Sequence, residues 1–120
     1  MATNYDSEGK VVQYTAGADI SSGDVVVMGN IIGVALTDIA NGATGSVAIE
    51  GVFTVPKVSA AVIAVGESLT YDVSASAFDD SAATPATGDI TGAPAVAMEA
   101  GINTQTTLKV KLTGVPGTVN

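Results

Sequence analysis

A chain of 120 residues is the size of one domain and can bury one modest core. Apolar residues make up 47%, but alanine supplies much of that share. Only five residues are aromatic (Tyr5, Tyr14, Phe53, Tyr71 and Phe78), so the core is thin and partner subunits would add stability. Twelve acidic residues face four lysines and no arginine; the net charge of −8 argues against direct DNA or RNA binding and reads as solubility by self-repulsion.

The first ten residues contain no apolar stretch of the kind a secretory signal needs. They are polar, and only Tyr5 offers apolar area, so residues 1–10 read as an arm that cannot offset its own ordering entropy, roughly 1–2 kcal/mol per residue. The alternative is that the strand beginning at Val11 extends backward through them. Val11 to Tyr14 is the first strand. Asp24 to Met28 and Ile31 to Leu36 are β-branched apolar runs separated only by Gly29-Asn30, which predicts a hairpin closed by a type II′ turn. After the turn cluster Asn41 to Gly45, the residues Val47, Ile49, Phe53 and Val55 share one parity, with Gly51 in the missing slot. That phase predicts one long strand from Ser46 to Lys57 with a bulge or close approach near Gly51.

Between Val58 and Val65 helix competes with strand. Val58, Ala61, Val62 and Val65 have helical spacing, Ser59 could cap the start and Gly66 the end. Ser68 to Val73 alternates again, with Leu69, Tyr71 and Val73 on one face. Ser74 to Asp89 is low in complexity and reads as a surface loop, with a short strand at Ala77-Phe78. Ala93 to Glu99 is a weaker strand, and Thr107 to Thr113 is the cleanest half-buried one. The sum is an all-β chain: one small barrel- or sandwich-like domain over 11–113, about eight short strands, at most one short helix near 58–65, and a tail at 114–120.

The chemistry-bearing residue types are few. With no histidine and no cysteine, disulfides, the usual zinc sites and nucleophile–histidine pairs cannot be built. No phosphate-binding loop or calcium loop occurs. The longest apolar stretch, Ala60 to Val65, is far short of the ~20 residues of a membrane helix. Asp79-Asp80, with Asp72 nearby, is the one acidic pair; adjacent carboxylates in a Ser/Ala loop read as a solvated turn before they read as a glycosidase or cation site. Lys57 after Pro56 reads as a solvated strand end. No catalytic, cofactor or metal residue is assigned; the chain is expected to be a soluble, cytoplasmically made non-enzyme.

One ordered series is distinctive: Ser22-Gly23-Asp24-Val25-Val26-Val27, Ile32-Gly33-Val34-Ala35, Asp38-Ile39-Ala40-Asn41-Gly42-Ala43-Thr44-Gly45, Gly51-Val52-Phe53, Pro56-Lys57, then Gly66-Glu67-Ser68-Leu69-Thr70-Tyr71-Asp72. In that order it resembles the small capsid decoration, or head cement, proteins of tailed phages, over nearly the whole chain from Asn4 to Leu112. Such sequences are often labelled RecA/RadA-like, but a recombinase needs a nucleotide loop and basic DNA loops that this chain lacks.

The resemblance implies a structural virion protein on the outer capsid surface that bridges neighbouring major capsid protein subunits and stabilises the DNA-filled head. It implies a homotrimer, with a dimer as the rival, and no nucleic-acid, membrane or cofactor partner. The arm residues Ala2, Thr3, Asn4, Tyr5, Asp6, Ser7 and Glu8 are the expected capsid or subunit contacts, by strand addition with Tyr5 as anchor. The other classes that fit the residues are a tail, fibre or surface-layer subunit and a small carboxylate enzyme acting on sugars.

Overall fold

β-branched runs cut by glycine and proline give short strands, because each turn residue stops the ladder before it can lengthen. The computed structural model describes residues 9–92 and 94–120. Its strands are β1 Val11–Thr15, β2 Val25–Met28, β3 Ile31–Ala35, β4 Thr44–Ala48, β5 Glu50–Pro56, β6 Thr70–Asp72, β7 Ala77–Asp79, β8 Ile90–Thr91, β9 Ala95–Ala97, β10 Thr107–Thr113 and β11 Thr118–Val119. No helix occurs among the described residues, so the fold is all-β, with more strands than the eight or so expected. They form three antiparallel sheets, in the orders β1-β4-β3-β2, β5-β10-β9 and β11-β8-β6-β7.

The hairpin is present as read: Val25 pairs with Val34 and Met28 with Ile31. Of its two turn residues only Gly29 has a positive φ, 65°, the pattern of a type II′ turn. Strand β3 is buried on both faces, which explains its unbroken apolar run. Ile32 and Val34 enter the main core with Val55, Leu69, Phe78, Leu108 and Val110. Ala35 turns the other way, into a small second core with Val26, Ile39 and Val47.

The single strand expected over 46–57 is instead two. β4 pairs with β1 and β3, whereas β5 pairs with β10, and the change of partner falls at Ile49. The phase nevertheless survives, since Val47 and Val55 are both buried, in different cores. Gly51, at φ +130°, carries the backbone through a conformation that side chains disfavour just after the switch.

Helix is not what 58–65 adopts. Ile63 pairs across to Gly101, and the Val58 amide donates to the Phe78 carbonyl, so the backbone groups a helix would use are bound elsewhere. Over residues 61–64 burial follows a period of two, with Ala61 and Ile63 inside and Val62 and Ala64 outside, and Val65 beyond them is exposed. Val73, expected beside Leu69 and Tyr71, lies past the end of β6 and is exposed. In the low-complexity segment, β7 sends Phe78 fully into the core, its ring centroid 4.9 Å from that of Tyr71. Residues 114–120, read as a tail, contribute β11 to the third sheet, paired through Thr118–Thr91 and Val119–Ile90.

Candidate interaction surface

Ala2 to Glu8, the contact residues expected from sequence, lie outside the described residues. The carboxylates singled out are placed and do not converge. Asp79 Oδ1 accepts from the Asp80 amide at 2.8 Å, and Asp80 Oδ1 from the Ala82 amide at 3.0 Å. Asp72 Oδ1 accepts from the Ser74 hydroxyl at 2.7 Å and from the Ser74 and Ala75 amides; these bonds, the hydroxyl's first, hold its pKa below the ordinary carboxylate value. Each side chain therefore closes its own turn. Among the described residues, no three His, Cys, Asp or Glu side chains are grouped to hold a metal ion.

A cleft of about 270 Å³ opens between Gly23, Asp24, Val25, Pro56, Tyr71 and Ser76. Burial pushes the Tyr71 phenol above its ordinary pKa, with the Ser76 hydroxyl acting the other way. Asp24, the one carboxylate among the described residues of the cleft wall, accepts from the Ser21 amide at 3.0 Å. The cleft has room for a small polar group.

Lys57 is where the structure departs furthest from the sequence reading. It is not a solvated strand end but is only 4% exposed. Its ammonium donates to the carbonyls of Val58 at 2.8 Å, Ile102 at 2.9 Å, Gln105 at 3.1 Å and Ser59 at 3.2 Å. Four main-chain dipoles thus replace its water, and one charge ties residues 58–59 to the loop 102–105. The Thr104 amide, donating to Ser59 at 2.7 Å, and the paired Ile63 and Gly101 amides complete the clamp. The two loops so joined carry the most exposed apolar side chains described: Val62 at 65%, Val65 at 66% and Ile102 at 63%.

The second feature is a flat face. β5, β10 and β9 alternate, and their inward residues, Val55, Leu108, Val110, Leu112, Ala95 and Ala97, fill the main core. The outward residues are exposed except Val96 and Thr113, which are half-buried. Lys111 lies between Val52 and Val96, and Lys109 lies beside Thr54. Met98 follows β9, its amide donating to the Lys109 carbonyl at 2.9 Å. Val52 is 50% and Met98 43% exposed. Two lysines therefore run down the centre of a face flanked by apolar side chains. Two acids accompany them: Glu50, opposite Thr113, and Glu99, whose carboxylate accepts the Lys109 amide at 3.0 Å. Sequence alternation showed the lysines pointing outward; the cross-strand register was needed to set Val52 and Val96 beside them.

The described residues thus present an exposed sheet face and two exposed apolar loops. In the comparison with known proteins, the family model described as phage cement protein matches residues 7–112. No curated protein matches the chain.

Proposed function

The chain belongs to the phage cement protein family, whose members are capsid-associated structural proteins, and on that premise we propose that it binds the outer surface of a tailed-phage head and cements neighbouring major capsid protein subunits. The family match over residues 7–112 is the observation that carries this reading. No reaction is involved. Many modest contacts act together across the shell, so that each bound copy holds adjacent subunits against the outward pressure of packaged DNA.

The working unit is a homotrimer seated at local three-fold positions, consistent with a core poor in aromatic residues. Ala2 to Glu8 form a contact arm; they lead into β1, which is an edge strand of its sheet, and an edge accepts a further strand through main-chain hydrogen bonds. Synthesis takes place in the host cytoplasm, before addition to the shell.

The test is addition of the purified chain to heads assembled without it. The expected result is saturable decoration seen by particle imaging, and heads that survive heating better than bare ones. Failure to decorate overturns the reading. A truncated chain beginning at Lys10 should fold and yet decorate poorly; unchanged affinity would remove the arm from the proposal. Mass measurement of concentrated protein and of the particle-bound unit should give a trimer, and a monomer in both settings would end that part.

A further inference from the structure

An uncovered face of an antiparallel sheet is ordinarily polar, because nothing inside the chain rewards apolar side chains there. The outward face of β5-β10-β9 breaks that pattern with exposed Val52 and Met98 and half-buried Val96, and it carries two of the four lysines, beside Glu50 and Glu99, in a chain of net charge −8. Of the four lysines, Lys57 is spent on the internal clamp. Lys109 and Lys111, two residues apart on one strand, set their ammonium groups on one face, with their Cα atoms separated by about 7 Å.

We infer that this face, centred on Lys109 and Lys111, is the surface with which the chain docks on the capsid shell, against a patch of shell carboxylates interspersed with apolar side chains. The inference rests on the capsid-binding reading and names the face that performs it. Charge complementarity selects the orientation. An acidic shell patch is repelled by most of this chain and attracted where exposed lysines lie; two of the three exposed lysines are on this face, and the third, Lys10, precedes β1, so the field favours approach through β10. On contact, Val52, Val96 and Met98 lose water, and the lysine stems lie flat while their charged ends reach the carboxylates. A second copy fits the face less well. Two-fold pairing with β10 on the axis would set Lys109 and Lys111 of one copy against those of the other.

The test is co-sedimentation of the full chain with heads assembled without it, at low and at physiological salt. The K109Q/K111Q variant should bind at least tenfold more weakly and lose most of the salt dependence of the wild type. K109R/K111R should bind as the wild type does. A82E/T87E, which shifts net charge by the same amount at exposed positions elsewhere, should also bind normally. Matching melting curves establish that all variants are folded. If the wild type binds and K109Q/K111Q binds equally well, this inference falls while the capsid-binding reading stands. If the wild type fails to bind, that reading falls and takes the inference with it. If the lysine substitutions instead break a soluble oligomer and leave head binding intact, the face belongs to a second copy and the inference is wrong.

Discussion

Gly101 and the stem of Lys57 share one space: a Cβ on Gly101 would lie 2.8 Å from Lys57 Cε and 3.2 Å from Cδ. A lysine end usually swings away at little cost, but this one is held by four carbonyls. Gly101→Ala is therefore expected to destabilise the fold by about 2 kcal/mol, in the range of core overpacking. In a Lys57→Ala background the same change should cost about 1 kcal/mol, because the closest clash is gone and the 3.3 Å approach to Ile63 Cβ remains. Urea denaturation of the four species measures the coupling.

Lys57→Met keeps the apolar stem and removes the charge, leaving the carbonyls of Val58, Ser59, Ile102 and Gln105 without their shared donor. The expected loss is about 3 kcal/mol, since buried acceptors are deprived of a partner and regain no water. Hydrogen exchange should accelerate at the amides of Thr104 and Ile63, which the clamp holds to Ser59 and Gly101.

Period-two patterning made the β-class, the first hairpin and β10 legible, because alternating burial is written directly in residues such as Leu108, Val110 and Leu112. What stayed hidden depends on partners distant in sequence. The switch of sheets at Ile49 leaves side-chain phase unchanged, so no local signal marks it. Helical spacing at Val58, Ala61, Val62 and Val65 was overridden by the bridge that pairs Ile63 with Gly101. Lys57 looks like any strand-end lysine until residues 102–105 fold over it. The docking face was half visible: the lysines' parity could be read, but not the neighbours that register gives them.

Acid should weaken the fold through Glu67. Its carboxylate accepts from the Ser81 amide at 2.7 Å, the Ala64 amide at 3.1 Å and the Ser81 hydroxyl at 3.0 Å, joining two loops. These bonds, the Ser81 amide first, hold its pKa below the reference value of 4.5. A depressed folded-state pKa means stability that is present above the unfolded value and lost as pH falls through the folded one. Glu67→Gln should thus melt below the wild type at pH 7, and the gap should narrow as pH falls below the ordinary carboxylate value and close once pH has passed the depressed folded-state pKa, where both side chains are neutral. Thermal melts at pH 7 and pH 3 decide it; a gap independent of pH would assign the effect to packing.

Thr104 is a β-branched residue at φ +82°, in a turn closed by the Gln105 amide to Ile102 carbonyl bond at 3.2 Å. Glycine or asparagine suits that position, and a β-branched side chain there costs roughly 1–3 kcal/mol. Thr104→Gly should raise stability by about 1 kcal/mol after the greater freedom of glycine in the unfolded chain is subtracted. Its amide bond to Ser59 is unaffected, so the change isolates backbone strain, and a higher urea midpoint with an unchanged slope is the expected result.

Phe78 gives the sharpest contrast between sequence context and structural role. It sits in a run of Ser, Ala, Thr and Asp, yet it is fully buried, its ring is tilted 59° against that of Tyr71, and its carbonyl accepts the Val58 amide at 2.9 Å. It therefore joins the third sheet to the strand end that carries Lys57, to which it is also bridged directly. In a core with so few aromatic side chains, its removal leaves a cavity that alanine- and valine-sized neighbours cannot refill. Phe78→Ala is expected to cost about 4 kcal/mol, enough to unfold much of a marginally stable domain. Phe78→Leu, which keeps most of the volume and loses the ring contact, should cost about 1.5 kcal/mol. Urea denaturation of both variants is the measurement. Near-neutral behaviour of Phe78→Ala would mean that the segment 74–89 contributes little to the core and that β7 is not integral to the fold.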